Sequence, residues 1–258
     1  MIVDVFVATV ANREDVVKLF SENDNPHGWD SQRWNHYYLD YPEGESVSIV
    51  AKYDGKVVGH YGLLPIKIGE YNGFLGVHAY VSADMRGLTV ISALMKYVDT
   101  VCEQKNVDIL CGFANKNFTL VKQQLYKWYV VCWMGFSKRR NFIETSFSSR
   151  KFRFNYSDSW YKWRFGEEKD TYFSLYTQRN EGGVLQLLKT RKDIVSENGV
   201  DLFECWHPSE YFQEKQSHFT QPFSMKLFGS NINKNEILDL DNWYLEMGDS
   251  DTFVYKSR

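Results

Sequence analysis

Polar and apolar positions alternate from Val3 to Val10, which predicts a strand. Asn12 then precedes Glu14 and Asp15, an N-cap followed by acids in a first turn, so a helix is expected through about Phe20. A polar stretch leads to an aromatic-rich helix around Arg33 to Leu39. After Pro42 the alternation predicts strands at Val47 to Tyr53 and Lys56 to Leu64, joined by an Asp54-Gly55 hairpin turn. A further strand, Ile66 to Glu70, is expected to turn at Asn72-Gly73 into Phe74 to Val81, completing an antiparallel meander.

From about Thr89 the period changes. Ile91, Leu94, Met95, Val98 and Val101 recur at helical spacing, which gives one buried face on a helix ending near Gln104. A strand at Val107 to Phe113, a helix at Phe118 to Lys127, and strands at Trp128 to Phe136 and Asn141 to Ser148 follow. The order β-α-α-β-β-β-β-α-β-α-β-β requires a mixed α/β fold. The meander needs antiparallel pairing and the β-α-β crossover needs parallel pairing, with helices flanking the sheet.

Residues 150 to 258 read as an α+β half: strands near Tyr172 to Gln178, Val184 to Lys189, Leu202 to Trp206 and Phe223 to Phe228, a helix from Pro208 to Phe219, and an aromatic segment at Asn242 to Met247. Ser31-x-x-Trp34 and Ser157-x-x-Trp160 each precede aromatics and a hairpin. A degenerate second copy of the first fold and a chance match both account for this echo. The expected division is 1–149 and 150–258. No Gly-, Ser- or Pro-rich linker separates the halves, so tight packing between them is expected.

Composition narrows the function classes. The chain has 258 residues, 43% of them apolar, enough for a sizeable core. A formal net charge of -3 with scattered basic residues argues against nucleic acid as a partner. Cys102, Cys111, Cys132 and Cys205 lie far apart in apolar runs without metal spacing, as free buried thiols do. The first residues lack the basic and apolar regions of a signal peptide, and no run nears a membrane-spanning length, so a soluble, cytoplasmic protein without membrane partners is expected. Asp239, Asp241, Asp249 and Asp251 lack the glycine and terminal glutamate of a calcium loop and read as a solvated turn, with no metal.

The chemistry concentrates in FLGVHAYVSADMRGLTVISA, Phe74 to Ala93, where a strand runs through a short Arg-Gly turn into a helix. Backbone N–H groups at such a turn, with the positive end of a helix dipole, make a phosphate site; a turn that merely caps a core helix has the same pattern. The order of elements and VSADMRGLTVISALM, Val81 to Met95, resemble the GNAT superfamily of acyl-CoA-dependent N-acyltransferases over about residues 1 to 148. Arg86 and Gly87 match the family's turn, while Asp84 and Thr89 depart from it. KVVGHYGLLPIK, Lys56 to Lys67, and Gly112-Phe113-Ala114-Asn115 resemble a subgroup found in bacterial cell-surface sugar pathways, with Ala114 in place of the usual proline.

The resemblance implies a fold of mixed, mostly antiparallel sheet flanked by helices, and an acyl-CoA, such as acetyl-CoA, as co-substrate. It implies that Arg86, Gly87, Leu88, Thr89 and Val90 hold the CoA pyrophosphate. The amides near Tyr80 and Val81, at a strand bulge, would polarise the acyl carbonyl and pair with the pantetheine arm, and Asn115 would bond the pantetheine or the acyl oxygen, or cap a helix. The reaction is direct attack of a primary amine on the thioester. His78 is the candidate proton acceptor, with a satisfied structural histidine as the alternative, and Tyr126 the candidate donor to the thiolate. His27, Trp29, Tyr37 and His60 are candidates for holding a small-molecule acceptor such as an amino sugar, beside other aromatics (Trp34, Tyr38, Trp160, Trp163) that also suit a core. An inactive binding relative, suggested by Asp84 and Thr89, and transfer of a longer acyl or aminoacyl group are the alternatives. A homodimer fits the same reading.

Overall fold

The computed structural model describes residues 2–22, 28–139, 150–165, 173–179, 185–190, 203–208 and 220–245. The expected strand at Asn141 to Ser148, nearly all of the helix expected from Pro208 to Phe219, Asp249, Asp251 and His27 lie outside them. The chain divides into two compact units. The first takes the residues up to Cys111 with Leu227–Ser230, and the second takes Gly112–Lys226 with the segment from Asn231.

In the first unit β1 (Asp4–Val7) lies antiparallel to β2 (Val47–Tyr53), which pairs with β3 (Lys56–Ile68), which pairs with β4 (Tyr71–Val81). Asp54 and Gly55 both take positive φ, 47° and 75°, as a two-residue turn between twisted strands requires. The expected break between Leu64 and Ile66 does not occur: β3 runs through Pro65. The ladder to β2 stops at Val47↔Leu63, so Pro65 sits where one side of β3 carries no partner and a missing N–H is tolerated. The turn moves accordingly. It forms at Gly69, with φ 57°, and Asn72 and Gly73 lie inside β4 opposite Lys67 and Ile66.

Helix α1 (Arg13–Ser21) and α2 (Ser31–Tyr38) precede the meander, and α3 (Leu88–Gln104) crosses from β4 to β5 (Ile109–Phe113), which pairs parallel with β4 along Gly73–Leu75. Helix α3 buries Val90, Leu94, Met95, Val98, Val101 and Cys102, with Val90 taking the place expected for Ile91. It rests directly on the backbone of β3. A Cβ at Gly59 would lie 2.8 Å from Val90 Cγ1 and 2.9 Å from Leu94 Cδ1. Gly62, on the opposite face by strand alternation, leaves comparable room for Tyr38 of α2. Helices thus cover both faces of a mostly antiparallel sheet.

The second unit contains α4 (Lys116–Tyr126), β6 (Tyr129–Arg139), α5 (Asp158–Phe165), β7 (Phe173–Arg179), β8 (Leu185–Thr190), β9 (Phe203–Pro208), β10 (Thr220–Leu227) and α6 (Lys234–Ile237). Its strands run in the order β10-β6-β9-β8-β7. Phe152, Phe154, Trp160, Phe223 and Trp243 are buried here, so Trp160 is core. Lys122 is buried as well, its Nζ donating to Ser224 Oγ at 3.0 Å and lying 3.7 Å from the Trp128 ring centre. The two Ser-x-x-Trp segments do different work. Ser157 Oγ accepts the N–H of Trp160, whereas Ser31 donates to Glu14 and Asp30 caps α2.

Cys102, Cys111 and Cys132 are buried free thiols. Among the described residues no helix is long and apolar enough to cross a membrane.

Candidate active site

Near its C-terminal end β4 leaves register with β3. His60 faces Tyr80 and Gly62 faces Val77, so His78 and Ala79 together stand opposite Tyr61. This is a β-bulge, and His78 takes φ 50° within it, a conformation non-glycine residues seldom hold. The ladder from β4 to β5 ends at Leu75, well before the bulge. Beyond the bulge, Ser82 N–H donates to Val58 O at 2.9 Å, and alternation then turns the N–H of Tyr80 toward β3 and that of Val81 away from it. Of the two amides expected to meet the acyl carbonyl and the pantetheine arm, that of Tyr80 lies on the β3 side and that of Val81 is directed outward.

Side chains fasten this bulge. The carbonyl of His78 accepts from His60 Nδ1 at 2.8 Å; because a carbonyl only accepts, His60 carries its proton on Nδ1. Its Nε2, 3.0 Å from Ser48 Oγ, therefore accepts from that hydroxyl. His60 is 0% exposed, and burial pushes its imidazole down to about 3, so it stays neutral. An acceptor cannot reach it. The substrate role expected for His60 gives way to a structural one.

The imidazole of His78 is half-buried, with Nδ1 2.9 Å from the hydroxyl of Tyr38. Trp29 and Tyr37 stand nearly perpendicular to it, each 4.6 Å away between ring centres, and Phe20 stacks on Trp29. Tyr80 packs edge-on against Phe20. Trp29 and Tyr37, expected near an acceptor, therefore line the surroundings of His78 while being largely buried themselves. Trp34 is core at 1% exposure. The partnership of Tyr38, Ser48 and Gly62 with the bulge escapes pattern reading, because strand and helix periodicities report which face a residue occupies and not which partner its polar atom reaches. The glycine in GHYGLL was the one available signal, marking a close approach.

The strand continues through Ser82 and a 3-10 turn, Ala83–Met85, into Gly87 and α3. Arg86, Gly87, Leu88 and Thr89 are exposed, and Val90 is buried beneath them against β3. Gly87 takes φ 158°, with open space where a Cβ would point. Gly87, the N-cap of α3, has no side chain to cap the helix amides, and no acid occupies the first turn. A 17-residue helix thus begins at an exposed glycine that leaves its first amides without a side-chain cap from the N-cap position, as a pyrophosphate site requires. Asp84 lies in the exposed 3-10 turn, off the helix.

Asn115 and Tyr126 belong to the second unit. Asn115 Oδ1 accepts the N–H of Phe118 at 2.9 Å, so it caps α4, and Tyr126 is the helix's last residue.

Residues 12–127 match the model of the acetyltransferase (GNAT) family. No curated protein matches the chain in sequence. Similar solved structures include a probable N-acyltransferase from Enterococcus faecalis V583, at 13% identity and TM-score 0.46 over 54% of this chain and 35% of that one. The chain thus spans about a third of that protein's length. An N-acetyltransferase from Staphylococcus aureus Mu50 is similar at 11% identity and TM-score 0.43, covering 52% of this chain and 86% of that one. So is PaiA N-acetyltransferase from Thermoplasma acidophilum, in complex with coenzyme A, at 11% identity, TM-score 0.38, and 50% and 91% coverage. The part of the chain that matches the acetyltransferase (GNAT) family model includes the bulge, the Arg86-Gly87 turn and α3.

Proposed function

We propose that the protein is an N-acetyltransferase that moves an acetyl group from CoA to the primary amine of a small molecule such as an amino sugar. The carrying observation is the uncapped start of α3 at Gly87, continuous through Arg86 with the strand that bears the His78 bulge. Acetyl-CoA supplies the activated thioester. The amides of Leu88, Thr89 and Val90 and the guanidinium of Arg86 hold its pyrophosphate, and Val81 N–H, turned away from β3, polarises the acyl carbonyl.

His78 accepts a proton from the substrate ammonium, freeing the nitrogen to attack the carbonyl carbon. The nitrogen–carbon bond forms as the carbon–sulfur bond breaks. Tyr126 as proton donor to the thiolate, and Asn115 as a pantetheine contact, rest on the resemblance alone. Trp29 and Tyr37 pack around the His78 ring, and they and His27 remain acceptor contacts on the resemblance alone. The reading carries with it a cytoplasmic enzyme without nucleic-acid or membrane partners, and a homodimer is compatible with it.

Calorimetric titration with acetyl-CoA tests this reading: binding is expected, and no binding at about millimolar concentration, weaker than the usual range of substrate affinities, would sink it. Binding without release of free CoA thiol across a broad amine panel would assign the chain to a non-catalytic relative instead.

A further inference from the structure

The hydrogen bond between Tyr38 and His78 has no counterpart in the family pattern read from the sequence, and the fold provides for it at three places. Tyr38 ends α2 and is 7% exposed. Its hydroxyl crosses β3 at Gly62, the position where a Cβ would collide with that oxygen and stand 2.9 Å from Val77 Cγ2. It stops 2.9 Å from His78 Nδ1, on a ring whose backbone is held in the bulge by the bond from His60. A tyrosine buried over a glycine thus meets one nitrogen of a half-exposed imidazole.

We propose that Tyr38 is a positioning residue: its phenolic oxygen accepts the Nδ1–H of His78, holding neutral His78 in the tautomer whose Nε2 lone pair takes the substrate's proton. This rests on the reading of His78 as the proton acceptor. The bookkeeping closes on that arrangement. One proton passes from the ammonium nitrogen to Nε2, the ring becomes imidazolium, and its Nδ1–H remains bonded to Tyr38, now as a charge-assisted donor. If Tyr38 donated to Nδ1 instead, neutral His78 would carry its proton on Nε2 and have no lone pair there. The direction of the Tyr38–His78 bond therefore decides whether neutral His78 can act as a base through Nε2.

Nitrogen-15 imidazole NMR on the full chain, at about pH 8.5 where histidine is ordinarily neutral, reads the tautomer directly, and His78→Gln assigns the resonance. The wild type is expected to show His78 protonated on Nδ1. In Tyr38→Phe the ratio of Nδ1–H to Nε2–H is expected to drop about tenfold, the effect of one net hydrogen bond. A wild-type His78 protonated mainly on Nε2 overturns the proposal whether or not the variant folds, and so does an unchanged tautomer in folded Tyr38→Phe. The underlying reading fails separately: if His78→Gln releases CoA thiol from acetyl-CoA and an accepted amine at the wild-type rate, His78 is not the base, whatever its tautomer.

Discussion

The bulge at His78 and the turn at Arg86-Gly87 lie eight residues apart on one strand–turn–helix unit, yet they are built in opposite ways. The bulge is fastened from several sides, by His60 on its carbonyl, Tyr38 on its imidazole and Trp29 and Tyr37 against its ring. The turn is left open, with exposed residues, no capping side chain and empty space at Gly87. The contrast matches two kinds of task. A group that must handle a proton needs its orientation set before substrate arrives, because misplacement of the reacting atoms is expensive. A phosphate site needs only bare amides, since the ligand itself completes their hydrogen bonds.

The contrast predicts that disturbing the bulge changes stability, whereas disturbing the turn changes affinity. The largest effect concerns His60. Its folded-state value near 3 lies below the ordinary histidine value, so between the two the unfolded chain binds the extra proton. Its contribution is full above about pH 6.5 and is lost as the pH falls toward 3, amounting to about 4–5 kcal/mol over that window. Urea denaturation at a series of pH values should show this slope, and His60→Gln should flatten it; equal slopes in the two proteins would refute the clamp.

Next comes Gly62→Ala, whose Cβ would collide with the Tyr38 hydroxyl and Val77. It is expected to lower the unfolding free energy by about 1–3 kcal/mol, as overpacking does, and to free the His78 ring. A denaturation midpoint equal to wild type would mean that Tyr38 does not need the gap.

Gly59→Ala bridges the two regions. Its Cβ would press on Val90 and Leu94 and lift the first turn of α3 from β3. Acetyl-CoA affinity measured calorimetrically should weaken about tenfold, equivalent to 1.4 kcal/mol, and unchanged affinity would show that the cradle does not depend on the seating of α3. The smallest effect is Thr89→Gly. Removing the side chain at the second position of α3 should tighten CoA binding by about twofold to fivefold, a gain of under 1.4 kcal/mol, and unchanged affinity would count against the cradle.

How much of this was legible beforehand follows from the range of the forces involved. Strand β2, the Asp54-Gly55 turn, α3 and the open Arg86-Gly87 turn come from local periodicity and φ preferences, which nearest neighbours encode. The turn expected at Asn72-Gly73 forms at Gly69, which supplies the positive φ, and β3 runs through Pro65 because its ladder to β2 ends at Leu63. No local signal distinguishes those cases. His60 was equally opaque, since GHYG reads the same whether the imidazole faces an acceptor or a buried carbonyl.

By itself the sequence determined the mixed α/β order, the strand–turn–helix unit and the family-like Arg86-Gly87 turn, all of them features written within about a dozen consecutive residues. Only the tertiary structure decided which histidine is sealed and which is half-exposed, which amide beyond the bulge turns outward, and that Tyr38 reaches His78 across Gly62. Those choices depend on groups 18 to 40 residues apart meeting at hydrogen-bond distance, and only the folded packing brings them there.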